Sequence, residues 1–344
     1  MTFITFGVKM KIRYDSVFVN KGNAEMERTM ETSCVIGIDA GGTKVAYGLF
    51  GSNGEIIERM EHPTDKDADG PTFSDILIKN IEIILDKRNL TFKELSGVGI
   101  GVPSFLLYEE GRVLMTSAIT GINDFPMRKY LEDRIPTTIV LDNDANAAAL
   151  AEHRYGAGRG TKHMVYVVLG TGLGGGIIIN EKLFHGSYGW AGEIGHMIAT
   201  ADKGVMCGCE NKGCYMSYVS GRFLPDHVRL GLEDGVESIL NPDAMNGEKL
   251  IEAYKINDAL AVKIVEQMAH NIAVNVFNIY QVLNINTFVF GGGLTSFGDI
   301  LFDKVEAEFD RYNHISLPVH FKMAELKKDF GIIGAAEFIR EGNN

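Results

Sequence analysis

The stretch Met164–Asn180, MVYVVLGTGLGGGIIIN, decides how the rest of the chain is read. An apolar run, Met164 to Leu169, empties into Gly170-Thr171-Gly172-Leu173-Gly174-Gly175-Gly176, and a second run, Ile177 to Asn180, follows at once. That is a strand, a glycine turn and a strand. The same layout occurs in CVIGIDAGGTKVAYGLF, residues 34–50, where Cys34 to Asp39 enters Asp39-Ala40-Gly41-Gly42-Thr43-Lys44 and Val45 to Phe50 follows. Read alone, a Gly-Gly pair between strands is as well explained by a plain hairpin. Two such units in one chain point instead to duplicated α/β lobes, each clamping phosphates with backbone N–H groups. Thr43 can add a hydroxyl, and Asp39 can hold a divalent cation or its waters. The first turn is not a P-loop, because no helix follows and the Gly-Lys-Ser/Thr ending is missing.

Between the two units, the β-branched run Thr137 to Leu141 breaks into Asp142-Asn143-Asp144-Ala145-Asn146 and then into an Ala-rich stretch ending near Tyr155. Strand, polar elbow and helix is the reading. Capping a helix accounts for one or two of those polar residues. Two carboxylates and two amides together are more than a cap needs, and open α/β sheets place ligands at strand carboxyl ends, so this loop is the candidate active centre.

The composition bounds the function. A chain of 344 residues suits two domains sharing a cleft, and 45% hydrophobic with 23% charged residues describes a globular protein without an apolar run of transmembrane length. A net charge of −12 argues against nucleic acid as a general partner. Neither nucleic acid nor membrane is expected. Residues 1–33 resemble neither a secretory signal nor a bounded domain and are too short for a winged-helix DNA-binding domain; they read as an extension. Of four cysteines, three fall between Cys207 and Cys214, which reads as metal chemistry in a reducing compartment, the cytoplasm by default.

Those cysteines follow Gly192-Glu193-Ile194-Gly195-His196. His196, Cys207, Cys209 and Cys214 make a closed, structural zinc site that organises the loop carrying Glu193. Helices are expected over residues 73–88 and 257–283, with a further helix ending near Arg134. A buried strand, Val98 to Val102, ends in Pro103-Ser104, either a ligand-reaching loop or a bland proline turn. Another, Thr287 to Phe290, enters Gly291-Gly292-Gly293, where glycine lets a flat nucleoside lie against backbone or lets helix and strand pack closely. Asp329 to Ala336 opens a terminal helix of small residues.

Taken together, the Asp39–Lys44 turn, Asp142-Asn143-Asp144-Ala145-Asn146-Ala147, the Gly170–Gly176 turn, Glu193-Ile194-Gly195-His196, the cysteine knuckle and Gly291–Gly293 resemble the ROK family of repressors and sugar kinases over residues 35–340. The resemblance implies an α/β, two-lobed, actin-like and ribonuclease-H-like ATPase fold with a central cleft. Its small lobe would run from 34 to 145 and regain residues 330–341, and its large lobe, with the knuckle and a dimer interface, would run from 146 to 329. It implies ATP with Mg2+ held by Asp39, Gly41, Gly42, Thr43, Lys44, Thr171, Gly172, Gly292 and Gly293, structural Zn2+, and a homodimer. A hexose would be phosphorylated at its 6-hydroxyl, with Asp144 as general base and Asn143, Glu193, His196, Ser104 and Met216 around the sugar. The chain has Tyr215-Met216 and Ala118-Ile119 where glucokinase-like members carry polar sugar-facing residues, Glu and Asn among them. Two outcomes follow: a neighbouring hydroxyl such as that of Tyr215 reads the anomeric position, or the acceptor is a β-glucoside, N-acetylmannosamine or allose. A non-catalytic, sugar-responsive regulator is the other alternative in the same family.

Overall fold

The structure, a computed structural model, describes residues 34–116 and 118–342. The extension expected at 1–33 lies outside the described residues. Cys34–Ala40 (β1), Lys44–Phe50 (β2) and Ile56–Pro63 (β3) form an antiparallel meander. Helix Gly70–Asp86 (α1) begins ahead of the expected Phe73, because Asp69 caps it by accepting the Thr72 N–H at 2.8 Å and a proline occupies its first turn. Leu95–Val102 (β4) leads into the small sheet Ser104–Leu107 (β5), Arg112–Thr116 (β6) and Asn123–Phe125 (β7), then Met127–Glu132 (α2) and Ile139–Asn143 (β8). Asp144–Tyr155 (α3) starts directly where β8 ends.

The second half repeats the plan. His163–Leu169 (β9), Leu173–Ile179 (β10) and Lys182–Leu183 (β11) form the meander. Helices Tyr215–Val219 (α4), Leu224–Glu233 (α5), Gly247–Lys255 (α6) and Ala259–Leu283 (α7) precede Thr287–Gly291 (β12), Asp299–Tyr312 (α8), His320–Met323 (β13) and the terminal helix Phe330–Gly342 (α9). The five-stranded sheets run β3-β2-β1-β4-β8 and β11-β10-β9-β12-β13, the same order in each. In both, two antiparallel pairings are followed by two parallel ones. Among the described residues, no helix is long and apolar enough to cross a membrane.

One glycine assignment is corrected. Strand β10 already begins at Leu173, which pairs with Leu169, so the turn is only Gly170-Thr171-Gly172. Gly174, Gly175 and Gly176 lie in the strand. A Cβ on Gly176 would stand 2.4 Å from the Ala149 Cβ of α3, and one on Gly175 would stand 2.9 Å from Ile194 Cδ1. These two make room for packing, not for phosphate.

The same device seats α9 on the first sheet. A Cβ at Gly37 of β1 would lie 1.9 Å from the Ile332 carbonyl oxygen, and one at Gly99 of β4 would lie 1.7 Å from that of Ala335. On its other side, a Cβ at Gly334 would meet the Ala147 oxygen of α3 at 1.8 Å. We therefore propose the lobe division after Ala145, with 330–341 returned to the first lobe, since α3 packs on β9 and β10 while α9 covers β1 and β4. At Gly99 the obstacle is backbone, which cannot swing aside. Gly99→Ala is expected to cost about 3 kcal/mol, the upper end of ordinary overpacking, read as a lower urea midpoint at unchanged slope.

Candidate active site

The parallel pairing of β4 with β8 sets Val102 beside Asn143 and Gly101 beside Asp142, so the ends of two strands open at one place. Asn143 caps α3 by accepting the Ala145 N–H at 2.8 Å, and its amide donates to the Ser104 carbonyl at 3.2 Å. Ser104 is thus beside Asn143, and its hydroxyl donates back to the Val102 carbonyl at 3.2 Å. Asp144 is the first residue of α3 and half-buried, with one oxygen accepting the Ala145 N–H at 3.0 Å.

Three acidic side chains act on one another here. Burial raises the Asp39 carboxyl, and Lys44 pulls it back only in part. Burial first, and the charge of Asp39 second, push Asp144 up to about 6. Burial first, and Asp144 second, push Glu193 up to about 7. Asp144 therefore stands electrostatically between Asp39, at the end of β1, and Glu193, on the loop after β11. Such a cluster favours a bound cation or a proton donor in its midst.

The first glycine turn is held from outside, since the Thr64 hydroxyl donates to the Gly41 carbonyl at 2.6 Å and the Thr64 N–H to that of Thr43 at 3.0 Å. Ala118 lies against Gly42. Lys44, expected among the phosphate-binding residues, pairs its amine with Glu61 at 2.8 Å on an exposed face. In the second turn, Gly170 O and Thr171 O accept the N–H groups of Gly221 and Arg222. The space where a Gly170 Cβ would go is 3.8 Å from the Gly293 nitrogen, so this turn and the start of the 3-10 turn Gly293–Phe297 are neighbours. Gly291 is a packing residue, its missing Cβ leaving room for the Tyr166 hydroxyl.

The loop carrying Glu193 is braced by Asn275 of α7, whose buried amide donates to the Ile194 carbonyl at 3.1 Å. His196 turns Nδ1 toward Cys207 Sγ at 3.6 Å and Nε2 toward Glu193 Oε2 at 3.9 Å. Cys209 and Cys214 sulfurs are 3.5 Å apart, and all four ligand atoms lie within 4.8 Å of one another. Ligand atoms around a tetrahedral zinc are separated by roughly 3 to 4 Å, so the donor set fits one ion. Two residues expected near the sugar have partners within the protein. The Tyr215 hydroxyl is buried and accepts from the Asn278 amide at 3.0 Å, so it is unavailable to an anomeric group. Met216 sulfur takes the Leu173 N–H at 3.0 Å, wedged between Gly172 and Gly195.

A pair that the sequence did not expose ties the site together. Asp142, 1% exposed, accepts from its neighbour's Asn143 N–H at 2.6 Å and the Asn146 amide at 2.9 Å with one oxygen. Its other oxygen meets His185 Nε2 at 2.7 Å, and Tyr108 stacks on that imidazole at 3.8 Å.

Residues 35–341 match the ROK family. The chain belongs to that family. It is 32% identical to a glucokinase of Halalkalibacterium halodurans over 320 residues, 90% of this chain and 96% of that one. The ROK hexokinase of Thermus thermophilus superposes with a TM-score of 0.79 at 27% identity, covering 90% of this chain and all of that one. A ROK glucokinase from Streptomyces griseus, solved with glucose and AMPPNP, gives 0.71 at 29% identity with 90% of this chain covered. The duplicated sheets are accordingly the two-lobed, actin-like α/β fold of this ROK family member.

Burial alone would depress the His185 pKa, but the hydrogen bond and charge of Asp142 outweigh it and raise it above the usual value. A raised histidine pKa means stabilisation that is fully present below the unfolded value, about 6.5, and lost as pH rises through the folded one. The stability gap between wild type and His185→Gln is therefore expected to shrink as pH rises above about 6.5, read from urea unfolding at each pH.

Proposed function

We propose that this ROK protein is an ATP-dependent kinase that phosphorylates a glucose-type hexose at its 6-hydroxyl, with Asp144 as general base. The observation that carries the reading is the desolvated Asp144 carboxylate, at a helix start between Asp39 and Glu193. A hydroxyl is a poor nucleophile at neutral pH, so it needs an ionised carboxylate in hydrogen-bonding reach to orient it and accept its proton. A base with a pKa of about 6 is still ionised at pH 7 and holds a proton more firmly than an ordinary aspartate.

In this reading Asn143, Glu193 and His196 grip the sugar hydroxyls, and the turns at Gly41–Thr43 and Gly170–Gly172 face the phosphates. Gly292 and Gly293 border the nucleoside. Mg2+ on the phosphates would supply charge neutralisation, with Asp39 beside it. His196, Cys207, Cys209 and Cys214 would hold zinc, which would have a structural role in fixing the loop that carries Glu193. A homodimer in the cytoplasm completes the proposal.

Asp144→Asn keeps the shape of the side chain but cannot take a proton; kcat is expected to fall about 10³-fold while the sugar KM moves less than about threefold. Because the carboxylate form is the active one, kcat/KM for the wild type is expected to drop about tenfold per unit as pH falls below about 6. A limb nearer pH 4 would show that the Asp144 carboxyl titrates in the ordinary aspartate range, whereas Asp144→Asn keeping kcat within tenfold of wild type would remove Asp144 from the role.

Elemental analysis of the purified protein is expected to find stoichiometric zinc. Cys209→Ser should lose most of it, lower the melting temperature and weaken sugar binding together, because the loop carrying Glu193 and His196 is then unanchored. Metal-free wild type with full stability and affinity would refute the knuckle's role.

A further inference from the structure

A row of aromatic rings leads outward from the acceptor loop. His196 lies 5.6 Å from Phe105, Phe105 meets Trp190 edge to face at 5.5 Å, and Trp190 is followed by Tyr188 at 6.1 Å. Exposure rises along the row, to 41% at Trp190 and 67% at Tyr188. The Trp190 ring and the backbone of its loop are held in place. Trp190 Nε1 donates to the Leu106 carbonyl of β5 at 2.8 Å, which uses up its one polar atom and leaves a hydrocarbon surface toward solvent. The Tyr108 N–H donates to the Tyr188 carbonyl at 3.1 Å, pinning the same loop to the turn that follows β5. Groups fixed in this way lose little freedom when a ligand settles on them.

We propose that Phe105, Tyr188 and Trp190 form a subsite for the second pyranose ring of a glycoside, so that the preferred acceptor is a disaccharide. The inference rests on the kinase reading for the first ring, gripped by Glu193 and His196. Trp190 precedes Glu193 in one short loop, so a substituent leaving the first sugar on that side meets the ring row next. A pyranose presents an apolar face of C–H groups that matches an aromatic surface, and it is neutral, as Phe105, Tyr188 and Trp190 are. A surface of this kind beside a polar grip is the usual composition of a ligand groove. The transfer is unchanged by the second ring. The bond from the 6-oxygen to the terminal phosphorus forms, the terminal phosphoanhydride bond breaks, ADP leaves, and the hydroxyl proton goes to Asp144.

Trp190 is the only tryptophan in the chain, so its emission reports on this subsite alone. Under selective tryptophan excitation without nucleotide, cellobiose or maltose is expected to shift the emission to shorter wavelength, and to bind about tenfold tighter than glucose. Glucose should leave the emission in place. In coupled ADP-release assays, Tyr188→Ala and Trp190→Ala should each lower the disaccharide-to-glucose ratio of kcat/KM, by about threefold and tenfold. Trp190→Phe, which keeps a ring but loses the bond to Leu106, should lower it less than Trp190→Ala. Emission indifferent to both disaccharides, or ratios unmoved in both alanine variants, would overturn the subsite even if glucose is phosphorylated. Ligand-free emission that varies with protein concentration would assign the rings to a second copy of the chain, and so overturn it too. Absence of ADP release with every sugar would instead defeat the kinase reading, while the emission titration still decides whether the rings hold a second sugar ring.

Discussion

Asp142 holds together pieces of chain that nothing else brings to one point. With 1% of its surface exposed, it has no water to satisfy it, and its oxygens must find protein donors or leave a buried charge unpaired. It finds three: the Asn143 N–H, the Asn146 amide in the first turn of α3, and His185 from the loop after β11. The first two fix the angle at which β8 turns into α3, and therefore where Asp144 points. The third fixes the loop that continues to Trp190 and Glu193. A buried carboxylate seated in this way specifies one arrangement of base and acceptor loop, because every alternative strands it.

Around that point the cleft is acidic, and the acidity is purposeful in the proposed chemistry. Each of Asp39, Asp144 and Glu193 is raised by burial, and two of them by a neighbour in the same trio. The chain's net charge of −12 would repel a nucleotide at long range, so binding must come from short-range donors. The N–H groups of the two glycine turns are of that kind, and they lie at corresponding positions in two sheets of identical strand order.

Much of this was legible in the residues. The duplicated meanders showed through because apolar strands interrupted by glycine have a period that no helix shares. The ligand set of the knuckle showed through because its spacing is local. What stayed hidden depends on partners far apart in sequence. Asp142 and His185 are 43 residues apart and Trp190 and Leu106 are 84 apart, and no pattern in either segment announces the other. Composition also cannot say which glycine opens a turn and which vacates space for a neighbour, so Gly174–Gly176 and Gly291 read as loop when they belong to strands. Lys44, Ser104 and Tyr215 have the chemistry for ligand contacts, yet each donates to or accepts from protein groups.

The seat of α9 on β1 and β4 has a consequence for how the protein comes into being. The glycine face of the first sheet is covered by residues 330–342, so during synthesis it stays bare until a helix far downstream in sequence has emerged from the ribosome. The Arg59–Asp329 pair, spanning 270 residues, closes at the same late moment. Contacts so distant in sequence are slow to form, and the nascent first sheet presents an open apolar surface meanwhile. Chaperone demand during translation, and sensitivity of the first sheet to loss of α9, are built into a sheet that waits for a helix made long after its own strands.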